Sequence, residues 1–137
     1  MKTYEAFNDY LINFIKSELP EHEGRSVYAC DLGNEITNGI NCDGTATYST
    51  YEAKQYIREW CDEAGEYWEY ENWNFGEHLH NPFDEPEAFM VCMIIEGVSS
   101  ILAQCEIIDS AWNDKIELTE ETIAAILSQI DGKEYSF

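Results

Sequence analysis

Between Thr3 and Pro20 the side chains of Tyr4, Phe7, Leu11, Phe14 and Ile15 fall on one stripe at helical spacing. That pattern predicts an amphipathic helix that starts behind Thr3 as cap and stops at Leu19-Pro20. From Ser26 the apolar residues Tyr28, Leu32 and Ile36 recur every fourth position, and Asn38-Gly39 supplies the left-handed stop a helix end prefers, so a second helix is expected there. Asn41-Cys42-Asp43-Gly44 has turn chemistry, and Thr45 to Tyr48 is the one stretch that reads as extended. Ser49 and Glu52 form a capping box that opens a long helix running to about Asn72. The stretch from Phe75 to Pro86, broken by Gly76 and by prolines at 82 and 86, is a loop.

Asp84 and Glu87 repeat the cap spacing, with Pro86 in a first-turn position where a missing amide is harmless. The helix that follows is apolar nearly all round from Phe89 to Cys105, with Glu96 as its only charge, which is the pattern of a central helix enclosed by others. Gly97, Ser100 and Ala103 give it a small-residue surface for close approach. A last helix has Thr119 as cap and Ile123, Ile126, Leu127 and Ile130 as its buried stripe. The expected fold is mainly α: one compact domain over residues 1–137, with a central apolar helix and at most one short β-hairpin.

Charge changes the picture most. The chain has 137 residues, and its 28 Asp and Glu against 7 Lys and Arg give a formal net charge of -21. Direct binding to nucleic acid or to an anionic membrane is disfavoured, because either needs a positive footprint. With 45% hydrophobic and 14% aromatic residues the chain can still bury a core, so the acidity does not imply disorder. The longest apolar run, Ala88 to Ile95, is far short of the roughly 20 residues that span a bilayer. Lys2, Glu5 and Asp9 interrupt the start where a signal peptide would be apolar, so a cytoplasmic location is expected.

The acidity is regional. Between Arg58 and Lys115 there is neither Lys nor Arg, whereas acidic residues recur throughout. On the long helix, Glu52, Glu59, Asp62, Glu63, Glu66 and Glu69 fall within an arc of roughly 120°, and Ala53, Ile57, Trp60, Cys61, Ala64 and Trp68 fall opposite. Six carboxylates over about 26 Å of helix is one per roughly 4 Å. Each strand of duplex DNA carries one phosphate per roughly 3.4 Å, a comparable density. A charged helix face is ordinarily a solvated one, but such faces mix signs. Here the i+4 positions that would hold basic partners hold more acids, at a cost of a few tenths of a kcal/mol per pair. Tyr70 lies on the acidic arc, and Tyr67, Trp68, Tyr70, Trp73 and Phe75 interleave with Glu66, Glu69, Glu71 and Glu77, rings beside carboxylates on which a partner's arginines can stack and pair.

Candidate chemistry is sparse. Glu77-His78-Leu79-His80, with Asp84 and Glu85, is the only cluster of metal-ligand types, and it lacks a third ligand at a recognisable spacing. Its ordinary reading is histidines bonded to carboxylates and capping the next helix. The five cysteines, Cys30, Cys42, Cys61, Cys92 and Cys105, never fall at C-x-x-C spacing and read as reduced structural thiols. No nucleophile elbow, P-loop or dinucleotide fingerprint is present, so no enzyme, cofactor or metal site is expected.

The segments Thr47 to Lys54, Gly65 to Glu71 and His80 to Asp84 resemble a family of uncharacterised short acidic proteins encoded by phages and mobile elements. That resemblance carries no activity or catalytic residue set with it. In size and acidity, though not in any motif, the chain is also similar to anti-CRISPR and antirestriction inhibitors that compete with DNA for a nuclease. The first reading is therefore an acidic DNA mimic of phage or mobile-element origin, whose partner is the basic groove of a nucleic-acid-binding defence enzyme. Its contact residues would be Glu52, Glu59, Asp62, Glu63, Glu66, Glu69, Tyr70, Glu71 and Trp73. The alternative is a non-enzymatic adaptor that dimerises through an apolar patch. The weakest is a metal-dependent hydrolase built around His78 and His80.

Overall fold

A computed structural model describes residues 3–37 and 86–135. They are mainly helical, with one small antiparallel sheet of two strands. The chain divides into two compact units, one of Met1–Ala6, Ile40–Ile94 and Phe137 and the other of Phe7–Gly39 and Ile95–Ser136. In the first, Met90, Val91, Met93 and Ile94 are buried. Helix ends apart, the elements that follow belong to the second unit.

Helix α1, Thr3–Glu18, begins at Thr3 itself and buries Phe7, Leu11 and Ile15, one residue per turn on a single stripe. Phe14 is only half-buried and lies beside Tyr10, whose ring also stacks on Phe7. The helix stops where predicted. A residue before proline is disfavoured in the α region, and the chain tightens into one 3-10 turn, Leu19–His22, that keeps Leu19 buried. Gly24, at φ +92°, reverses the direction and donates its N–H to the Leu118 carbonyl at 2.8 Å.

The second predicted helix is only partly present. Ser26–Tyr28 is a strand, β1, followed by a 3-10 turn, Ala29–Asp31, and then by a short helix α2, Leu32–Ile36. Leu32 and Ile36 are buried as their spacing implies, but Tyr28 is exposed. The every-fourth-residue pattern misled at Tyr28 because pairing with a distant segment overrides a local helical preference. The stop is also earlier than Asn38-Gly39: Thr37 ends α2, its hydroxyl donating to the Gly33 carbonyl at 2.7 Å.

Helix α3, Pro86–Ala103, starts with its proline in the first turn, and no side chain described between Met90 and Ala103 is exposed. Val98, Ile101 and Leu102 are fully buried. The small-residue surface is used at Gly97, where a Cβ would come within 2.5 Å of the Leu11 Cδ1. A second close approach was not foreseen. Gly33 of α2 sits against Ser99, and a Cβ there would lie 2.8 Å from the Ser99 Cα.

After α3 come a short helix α4, Glu106–Ser110, strand β2, Lys115–Glu117, and helix α5, Glu120–Ile130. Strands β1 and β2 pair antiparallel in the register Ser26 to Glu117, Val27 to Ile116 and Tyr28 to Lys115. They are brought together from distant parts of the chain and not by a tight turn, and neither strand was expected. Thr45 to Tyr48, the expected strand, lies outside the described residues, as do the long helix from Ser49 to Asn72 and the loop from Phe75 as far as Glu85. Thr119 caps α5 as predicted, its hydroxyl oxygen accepting from the Thr122 N–H at 3.1 Å. Ile123, Ile126 and Ile130 are buried and Leu127 is half-buried. Among the described residues no helix is long and apolar enough to cross a membrane.

The tail after α5 is tied back to earlier elements. The Tyr135 N–H donates to the Asn8 Oδ1 of α1 at 2.8 Å, and the Tyr135 hydroxyl donates to the Glu96 Oε2 of α3 at 3.2 Å. Gln104 Nε2 donates to the carbonyls of Glu134 at 2.9 Å and Ser100 at 3.1 Å. Asn8 and Tyr135 are both buried.

Two stability outcomes follow from this packing. Gly33→Ala should destabilise by about 1–3 kcal/mol, since a Cβ meets backbone that cannot swing aside. Gly97→Ala should cost less, because the Leu11 methyl can rotate and alanine gains about 1 kcal/mol of helix propensity; urea denaturation of both variants measures the difference. Asn8→Ala should cost about 1–3 kcal/mol by removing the buried acceptor of the Tyr135 N–H, whereas Asn8→Asp, which keeps an acceptor, should retain more of the wild-type melting temperature.

Candidate interaction surface

Each residue predicted to contact a partner, Glu52, Glu59, Asp62, Glu63, Glu66, Glu69, Tyr70, Glu71 and Trp73, lies outside the described residues, as do His78 and His80. The second unit presents a surface of its own. It too is acidic, and its carboxylates have few basic neighbours among the described residues. Two ion pairs form among the described residues, Lys16 with Asp131 at 2.8 Å and Arg25 with Glu35. Both members of the first are well exposed, so it contributes at most about 1 kcal/mol. Glu120 and Glu121 stand in the first turn of α5, where unpaired backbone amides and the helix dipole favour negative charge.

Antiparallel pairing builds a distinct feature at one end of the sheet. The non-local register sets Tyr28 opposite Lys115, and the Lys115 Nζ lies 5.3 Å from the centroid of the Tyr28 ring. Beyond the last paired residues the Ala29 N–H donates to the Asp114 carbonyl at 2.9 Å and the Cys30 N–H to the Trp112 carbonyl at 3.0 Å. The turn that carries Trp112 is closed by the Asp114 N–H donating to the Ala111 carbonyl at 2.7 Å. Tyr28 and Trp112, 47% and 43% exposed, are the large hydrophobic side chains left on the surface among the described residues. Asp31 and Asp114 beside these bonds, and Asp109 in α4, are exposed and make no ion pair among the described residues.

Sequence reasoning missed both rings. Tyr28 was assigned to a buried helical stripe, and Trp112 was not weighed. The available signal was the setting of Trp112 in Ala-Trp-Asn-Asp, a polar turn where a large apolar ring has little to bury against.

Among the described residues no group of three His, Cys, Asp or Glu side chains is arranged to bind an ion. Cys30 and Cys105 are the thiols in the second unit, the first half-buried and the second buried. Burial pushes the Cys105 thiol above its usual range, with the nearby Lys133 charge opposing the shift, and its Sγ donates to the Ile101 carbonyl at 3.7 Å. A thiol held neutral in this way is a packing group and a poor nucleophile. The arrangement offers carboxylate charge and exposed aromatic surface, which are means of contact. No protein-family model, no curated protein and no solved structure matches the chain.

The Cys105 environment has a pH consequence. Its folded pKa is raised, so the stabilisation it gives is fully present below the unfolded pKa and is lost as pH rises through the folded value. Native Cys105 should therefore resist alkylation near neutral pH, react readily in urea, and contribute a loss of stability on the alkaline side. Mass-spectrometric mapping of iodoacetamide adducts, with and without urea, checks this.

Proposed function

We propose that this chain is an acidic, non-enzymatic binding protein of phage or mobile-element origin. It acts in the host cytoplasm by occupying the basic groove of a DNA- or RNA-binding defence enzyme in place of nucleic acid. The observation that carries the reading is a charge imbalance the chain cannot neutralise internally. With 28 acidic side chains and 7 Lys and Arg, one partner each would leave three quarters of the carboxylates without a cation. The second unit is acidic as well, and the ion pairs among the described residues take up only Asp131 and Glu35 of its carboxylates.

The row from Glu52 to Glu69 supplies the spacing of charge, and Tyr70, Glu71 and Trp73 supply rings and a further carboxylate where arginines would be desolvated. Such a surface raises the association rate through its summed field and excludes nucleic acid by occupying its site. The adaptor reading requires two copies, each with a net charge of -21, to come together, and this repulsion ranks it second.

A tagged copy used to retain partners from a bacterial lysate, followed by competition with duplex DNA, tests the reading. The wild type should displace DNA from the captured protein, with an affinity that falls steeply as salt rises. Changing Glu59, Asp62, Glu66 and Glu69 together to Lys should weaken binding by at least about tenfold, while each single change does little. If the fourfold variant displaces DNA as well as the wild type does, the acidic face is only a solvated one and the mimic reading fails.

A further inference from the structure

The aromatic end of the sheet belongs to the second unit and is separate in sequence from the acidic row between residues 52 and 71. Three observations bear on what it binds. The Tyr28 ring already accepts a cation from within the chain, the ammonium of Lys115 at 5.3 Å, so its environment supports cation–π contact. Trp112, whose indole is the stronger cation–π acceptor, is 43% exposed and has no cation over it among the described residues. Asp31, Asp109 and Asp114 flank the rings along the chain. Asp114 closes the Trp112 turn, and Asp31 follows the residue that bonds the Trp112 carbonyl.

From these we infer that the Tyr28 and Trp112 end of the sheet is a docking surface for an arginine-bearing basic segment of a partner protein. The guanidinium stacks on the Trp112 indole and pairs with Asp114, the carboxylate of that turn. Arginine fits better than lysine, because its plane can stack on a ring while its edge donates two parallel hydrogen bonds to a carboxylate. Charge complementarity selects this occupant. A second copy of the chain would bring another net charge of -21, and nucleic acid would bring phosphates to a surface flanked by three aspartates. The inference shares with the proposed function its basic protein partner, and it uses none of the residues between Glu52 and Trp73.

The test uses the full chain, hexa-arginine and hexalysine peptides as probes, and NMR of isotope-labelled tryptophan side chains at about 0.15 M salt, where diffuse attraction is screened beyond roughly 8 Å. Trp112→Ala assigns the Trp112 indole signal and removes an exposed ring, so its fold is checked by circular dichroism. Hexa-arginine should shift the Trp112 signal saturably and more tightly than hexalysine. Trp112→Ala should weaken hexa-arginine binding about three- to tenfold. The variant reversed at Glu59, Asp62, Glu66 and Glu69 should leave the Trp112 shift in place, which separates this surface from the proposed nucleic-acid-mimicking face. An unmoved Trp112 signal, equal binding of the two peptides or an unchanged affinity in Trp112→Ala overturns the inference. So does sedimentation showing a dimer that Trp112→Ala dissociates, since a second copy would then be the occupant.

Discussion

Close approach to one apolar helix is the constraint on which the second unit depends. From Ile95 onward α3 is met by α1 at Gly97, where the Leu11 side chain occupies the space a Cβ would need, and by α2 at Ser99, where Gly33 brings backbone against backbone. Interiors packed at crystal-like density do not yield by an ångström without cost, so these two glycines set how near the neighbouring helices lie. The same helix carries Glu96, whose carboxylate accepts the Tyr135 hydroxyl, and the tail that bears Tyr135 is tied in turn to Asn8 of α1. Burial of Val98, Ile101 and Leu102, at roughly 1.5–3 kcal/mol each, supplies much of the driving force that holds these polar ties in place.

That apolar burial works against an unusual electrostatic load. A net charge of -21 repels itself in the compact state, and ion pairing among the described residues relieves little of it. Part of the relief comes from placement. Glu120 and Glu121 sit in the first turn of α5, Glu106 and Asp109 at the start of α4, and other acids in exposed turns where water screens them. A chain that needed only solubility would reach it with both signs interspersed, as ordinary surfaces do. The one-sided charge is the ground on which a basic partner is proposed.

The β1–β2 sheet shows how a small non-local element can shape a surface. Three residues on each side pair, yet that pairing turns Tyr28 outward, sets Lys115 over its ring and draws the Trp112 turn alongside. Exposed rings among carboxylates combine large contact area with charge, a mixture suited to recognising guanidinium groups.

Helix content, the buried faces of α1 and α5, the proline-defined start of α3, the Thr119 cap and the acidity were all legible in the sequence. Each rests on local periodicity, capping chemistry or composition, which act over a few residues. The residues proposed to contact a partner, from Glu52 to Trp73, were likewise read from helical spacing, and they remain a reading of sequence. Tertiary structure alone decided that Ser26–Tyr28 is a strand, that Gly33 faces Ser99, that the tail returns to Asn8, and that Tyr28 and Trp112 share one end of the sheet. Those outcomes depend on contacts between segments far apart in the chain, where backbone hydrogen bonding and packing outweigh the local preference of the residues involved.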